Sequence, residues 1–175
     1  MPWRGPEYPG EFPTLGYVVA EWIQDRCAIP DRHQAGEPFV LTREQVAHLV
    51  LEYRLWPKAK VVPDRESAPF VYVGNYLVRP QKWGKGPFSA ARICAQAEGP
   101  VLFAGWDANG EPVGMPWWSP HIQVTAISED QTQNIWRALM PMIEMGSISA
   151  DITDTGLTRI NLSNGGLIEP VTASA

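Results

Sequence analysis

Apolar residues recur at helical spacing at Leu15, Val18, Val19, Trp22 and Ile23, with Thr14 as an N-cap candidate and Pro30 beyond the end, which predicts a first amphipathic helix. Upstream, Pro2, Pro6, Pro9 and Pro13 with Gly5 and Gly10 interrupt any regular element, so residues 1–13 are expected to form an extended arm. Thr42 stands three residues before Gln45, a capping-box spacing that opens a second helix through Val46, Leu49, Val50 and Tyr53. Pro57, Pro63 and Pro69 mark residues 57–69 as a connection. The period then shortens. Phe70 to Val73 and Tyr76 to Val78 are β-branched and aromatic around Gly74-Asn75, predicting a hairpin or bulged strand that ends at Arg79. Phe88 to Ala97 has the small and apolar residues of a buried helix, closed by Gly99-Pro100.

In the second half, Val101 to Ala104 predicts a short strand, and Asn109-Gly110 is the strongest hairpin signal in the chain. Asp107 to Glu111 superficially looks like a calcium loop but lacks the spacing of one, so it is expected to be a hairpin tip. The stretch to Pro120 is an excursion, and Ile122 to Ile127 predicts another strand. Ser128 to Gln131 then caps a helix carrying Ile135, Trp136, Leu139, Met142 and Ile143, ended by Gly146. Leu157 to Leu162 is expected to pair with Leu167 to Val171 across Asn164-Gly165-Gly166.

A chain of 175 residues has room for one domain with a substantial core. The 15 glycines and 17 prolines argue for short elements and against a simple helical bundle. With 14 Lys and Arg against 19 Asp and Glu, the formal charge of -5 provides no global field for nucleic acid. Cys27 and Cys94 lack a CxxC spacing, and His33, His48 and His121 form no ligand cluster, so neither a disulfide framework nor a zinc site is expected. The N-terminal stretch has no signal-peptide core and no apolar run of membrane-spanning length occurs, giving an intracellular, reducing setting as the expectation.

The run Arg79 to Gly86 carries the candidate chemistry, because an expected strand enters a Gly-Lys loop that opens a helix. In such a loop consecutive backbone N–H groups and the helix N-terminus converge on an anion while one lysine reaches the outer phosphates. Lys85 is that lysine, Gly84 and Gly86 permit close backbone approach, and Pro87 suits the first helical turn. The spacing of G-x-x-x-x-G-K-[ST] is retained, but Arg79 stands at the first glycine and Gly86 at the hydroxyl residue that normally holds magnesium. Ser89, one turn on, or a water is then the candidate for that contact. The alternative is a Gly-Lys-Gly turn with a purely structural role.

Taken together, Pro9 to Gly16, Phe39 to Gln45, Arg79 to Gly86 and Thr125 to Asn134 resemble, in order and spacing, the N-terminal ATPase region of a tailed-phage terminase large subunit. The resemblance covers nearly the whole chain. It implies an α/β, P-loop NTPase-type fold with a mostly parallel sheet flanked by helices, an N-terminal helical arm and β-hairpin excursions. Residues 1–13 are then the extended arm, and 14–175 the N-terminal part of the ATPase domain, helical over 14–56 and α/β over 70–175. The implied ligands are ATP and Mg2+, with Gln45, Arg79, Gln81, Lys82, Gly84, Lys85 and Gly86 around the nucleotide. Gln45 resembles the adenine-reading glutamine, since an amide both donates to and accepts from the base edge; capping its own helix is the alternative, and the two are compatible. Arg79 and Lys82 either add charge over the phosphates or are solvated loop residues.

The implied partners are double-stranded viral DNA, the portal and the small terminase subunit, within an oligomeric ring in the host cytoplasm. No apolar run ends in adjacent acids of the kind that orient magnesium and the attacking water, and Glu129-Asp130 reads as a helix cap. The resemblance therefore implies an incomplete ATPase domain, lacking both those acids and the nuclease domain and hydrolytically incompetent by itself. The rival is a non-enzymatic assembly module whose Trp-rich insertion, 105–120, binds a protein or carbohydrate partner; for Trp117-Trp118 the alternative to a stacking platform is packing within the insertion.

Overall fold

In the computed structural model, which describes residues 2–126, 129–156 and 159–172, one hydroxyl starts the first helix and ties it to the second. Thr14 Oγ1 accepts the Gly16 N–H at 2.9 Å and donates to the Val50 carbonyl at 2.8 Å, beside α1 (Gly16–Arg26) and α2 (Arg43–Glu52). The N-cap position itself is Leu15, one residue later than the sequence predicts. The capping box of α2 is complete: Thr42 Oγ1 accepts from Gln45 N, and Thr42 N donates to Gln45 Oε1 at 2.8 Å. Between the helices the chain makes a closed loop, pinned by an Ala28–Pro38 bridge, with a 3-10 turn at Arg32–Gln34 that the sequence does not announce.

The core lies where α3 (Lys85–Glu98) meets α1 and α4 (Glu129–Met145). Ala90, Ala91, Cys94, Ala95 and Ala97 make that face of α3 small, so helix axes approach closely, and Phe88, Leu139, Met142 and Ile143 fill the layer. The free thiols of Cys27 and Cys94 are both buried here, and their mutual contact together with burial pushes the Cys94 thiol well up. β1 (Leu102–Trp106) and β2 (Pro112–Met115) form an antiparallel ribbon. Its tip is the expected hairpin turn, with Asp107 Oδ1 accepting the N–H groups of Asn109 and Glu111 at 2.7 and 2.8 Å.

The larger sheet has the order β3-β6-β5-β4, formed by β3 (His121–Ala126), β4 (Ile152–Thr155), β5 (Ile160–Leu162) and β6 (Leu167–Thr172). Helix α4 packs against β3 and β6. The fold is therefore α/β with helices flanking sheet, but the sheet is not mostly parallel. Only β3 and β6 run parallel, while β4, β5 and β6 form an antiparallel meander. The physical reason is connection length: the turn at Asn164-Gly165-Gly166 is too short for the crossover that parallel neighbours require. Strand β4 has no clear signal in the sequence.

A second correction concerns residues 70–78. Phe70 makes one bridge to Leu55, and from Tyr72 to Val78 the chain joins no strand ladder. Val73, Tyr76 and Val78 are more than four-fifths exposed. Strand propensity is realised only beside a partner strand, and among the described residues none lies alongside. At the expected turn, Asn75 instead bonds to Glu52 Oε1 at 2.8 Å and accepts from Arg92 at 3.3 Å. The expected strand end Ile127, the cap Ser128 and the hairpin start Leu157 lie outside the described residues.

Where α3 ends, Glu98 sits near Asp151 and the Arg26 guanidinium, with one buried carboxylate oxygen lacking a hydrogen bond. Arg26 itself pairs with Asp151. Burial and then Asp151 push the Glu98 carboxyl up to about 7 from an ordinary 4.5. A raised carboxyl means the native state holds the proton more tightly than the unfolded chain, so this group's contribution favours folding at low pH and is lost as pH rises from 4.5 towards 7. Glu98→Gln is expected to melt higher than the parent chain at pH 8, with the gap closing near pH 4.5. Thermal melts across that range check it, and a pH-independent gap would contradict it.

Candidate functional site

The loop from Arg79 leads directly into α3, whose N-cap is Gly84 in the left-handed region at φ 94°. A side chain there is strained, which is the physical need for glycine. The first turn of α3 carries no acidic residue, so no carboxylate within it offsets the positive end of the helix. Phe88, one turn in, is fully buried, with His48 of α2 and Trp83 of the loop edge-on at 5.7 Å each. Burial beside these rings lowers the His48 imidazole below its ordinary value. Arg92 continues the contact between α2 and α3 by holding Glu52 through Nε at 3.0 Å.

The expected nucleotide residues fall into two groups. Gln45, Lys82 and Gly84 line one cavity of about 370 Å³, together with Pro87, Thr42 and the wall of the loop after α1. Gln45 is 5% exposed; its Oε1 serves the capping box, and its amide nitrogen has no hydrogen-bond partner among the described residues. Both readings of Gln45 thus coexist geometrically, since capping occupies the acceptor and leaves the donor.

Arg79, Gln81, Lys85 and Gly86 do not line this cavity. Lys85 Nζ donates to the carbonyls of Arg79 and Pro80 at 2.8 and 2.7 Å, bracing the turn from within. The Arg79 guanidinium stands 3.6 Å from Glu44 and over the Trp83 ring, whose indole N–H also donates to Glu44 at 2.9 Å. Gln81 is exposed. At Gly86 an added Cβ would meet only the Asn134 carbonyl, at 4.0 Å, so the space for a hydroxyl residue exists although the hydroxyl does not. Ser89 is partly exposed on α3.

The far wall of the cavity is formed by Ile29, Asp31, Arg32, Gln34, Phe39 and Val40. Phe39 and Val40 belong to the run that carries the terminase resemblance, whereas Ile29, Asp31, Arg32 and Gln34 have no motif and are marked only as a loop, by Pro30 and Pro38. Of the tryptophan pair, Trp117 packs on the core and donates to Gln96 at 3.3 Å, whereas Trp118 is 77% exposed.

The structure is similar to the large terminase of bacteriophage HK97, with a TM-score of 0.61 and 17% identity over 93% of this chain and 28% of that one. The fold is terminase-like. In sequence, the chain is 31% identical over 180 residues to the Gene 13 protein of Mycobacterium phage L5 and 30% identical over 179 residues to that of Mycobacterium phage D29. Each match takes in 92% of this chain, which spans 29% of the length of these relatives. No protein-family profile matches the chain. Within the terminase-like fold, the turn from Arg79 leads into the N-terminus of α3, and no described helix is long and apolar enough to cross a membrane.

Proposed function

We propose that this chain is the nucleotide-binding part of a terminase large subunit, the ATP-driven motor that packages viral DNA. The observation that carries the reading is the shared cavity: Gln45, from a capped helix, and Gly84, from a Gly-Lys turn at a helix N-terminus, face the same space. An unpartnered amide donor suits a base edge, and a bare helix N-terminus suits phosphates. Their juxtaposition fits ATP, with Ile29 and Phe39 as apolar walls. Lys85 exchanges two backbone carbonyls for phosphate oxygens, an exchange of neutral for charged acceptors.

Magnesium fits less well. Gly86 brings no hydroxyl, and among the described residues no group of three His, Cys, Asp or Glu could hold a metal. The ion is expected to arrive on the nucleotide's own oxygens, with Ser89 the nearest side-chain candidate. ATP hydrolysis, DNA translocation in the host cytoplasm, ring assembly and contacts with portal and small subunit are assigned to the longer protein. The -5 charge makes this part alone a weak DNA ligand.

Calorimetric titration of the chain with Mg-ATP tests the reading, with saturable binding expected. A second reading has its own support: Lys85 and Arg79 are already satisfied within the protein, as in a turn with a structural role. Absence of binding at millimolar nucleotide would favour that assembly-module reading and overturn the first.

A further inference from the structure

Three non-glycine residues of the described chain have positive φ: Arg32 at 69°, Asp64 at 61° and Lys82 at 65°. Two of these, Arg32 and Lys82, line the cavity of about 370 Å³ that holds Gln45. A left-handed backbone costs a non-glycine residue on the order of 1–2 kcal/mol and persists only where its surroundings impose it. Around Arg32 that imposition is visible: Ile29 N donates to the Glu37 carbonyl at 2.8 Å, Gly36 N to the Ile29 carbonyl at 3.0 Å, and Ala35 N to the Arg32 carbonyl at 3.2 Å. The loop is closed on itself and presents Arg32 on the cavity wall. Arg32 and Lys82 are both exposed, and neither has an ion pair or side-chain hydrogen bond among the described residues, so both charges are available to a ligand. Asp31 also lines the cavity but is not paired with its neighbour. Gln45, 5% exposed and with no partner for its amide nitrogen among the described residues, lines the same space and offers it a donor.

We propose that Arg32 is a specificity-determining residue that reaches the polyphosphate from outside the Gly-Lys turn, so that the site selects its nucleotide by phosphate charge as well as by base. This rests on the nucleotide reading above and deepens it. A planar guanidinium matches two phosphate oxygens at once, which the point charge of Lys82 does not. Adenosine, which lacks phosphate, gains nothing from it.

The test compares ATP, ADP and adenosine binding to the full chain by calorimetry, for the parent, Arg32→Gln, Arg32→Lys and Lys85→Ala. Glutamine keeps an unbranched polar side chain while removing the charge, and an unchanged melt without ligand verifies the fold. Arg32→Gln is expected to weaken ATP about 10- to 100-fold and to leave adenosine unaltered, with Arg32→Lys intermediate. Parent-like ATP affinity in Arg32→Gln, alongside loss in Lys85→Ala, overturns the role of Arg32 and leaves the nucleotide site standing. Equal weakening of ATP and adenosine also overturns it, because the loop and not the phosphate contact is then at work. If the parent binds no nucleotide, both readings fall.

Discussion

Lys85→Ala is expected to abolish the thermal stabilisation that Mg-ATP confers on the parent chain. At a hundredfold excess over the dissociation constant, a ligand that binds only the native state adds about 2.7 kcal/mol. For a domain of this size that corresponds to a rise on the order of 5–11 °C in Tm. The lysine is the residue whose loss removes most of it, because on the nucleotide reading its ammonium exchanges the Arg79 and Pro80 carbonyls for phosphate oxygens. The same bonds predict a side effect. Without ligand, Lys85→Ala loses two contacts that brace the turn, and the variant should melt slightly below the parent. A parent chain that melts sharply and ignores Mg-ATP would remove the basis for a nucleotide role, whatever the variant does.

Gly16→Ala is expected to lower stability by about 3 kcal/mol, at the upper end of overpacking costs, and Tm by roughly 6–12 °C. A Cβ at Gly16 would lie 2.4 Å from Val50 Cα and 2.5 Å from the Leu49 carbonyl oxygen. These are backbone atoms of α2, so no rotamer change relieves the overlap. Helices α1 and α2 must separate, and the Thr14 hydroxyl then loses its grip on the Val50 carbonyl. The contrast is Gly86→Ser, where the nearest atom to an added Cβ is 4.0 Å away. Denaturant melts of Gly16→Ala measure the effect, and a loss under 1 kcal/mol would mean that the two helices are not held backbone to backbone.

Much of the helical half was legible because its determinants are local. The Thr42 and Gln45 box, the small apolar face from Ala90 to Ala97, and the Asn109-Gly110 turn each depend on residues within a few positions of one another. Sheet pairing depends on what lies alongside, and there the sequence misleads. Tyr72 to Val78 has the composition of a strand and no partner strand among the described residues, while Ile152 to Thr155 has little signal and becomes one because Ile160 to Leu162 folds back against it. The candidate site divides in the same way. Gly84 can be picked out from the Gly-Lys spacing and Gln45 from the terminase resemblance, but Arg32 cannot, since nothing in Asp31-Arg32-His33-Gln34 differs from an ordinary charged loop.

The amino-acid sequence by itself therefore determined the capping box of α2, the Asn109-Gly110 turn, the Gly-Lys turn ahead of α3 and the mixed α/β class, because capping, turn chemistry and periodicity act over short chain distances. Only the tertiary structure decided that the sheet is mainly antiparallel, that residues 72–78 stay unpaired, and that a loop 50 or so residues upstream of the Gly-Lys turn, on the scale of contacts that local rules never reach, forms the facing wall of its cavity. Those outcomes arise where burial and backbone hydrogen bonding are satisfied between distant segments, and the free energy of such pairing belongs to neither segment alone.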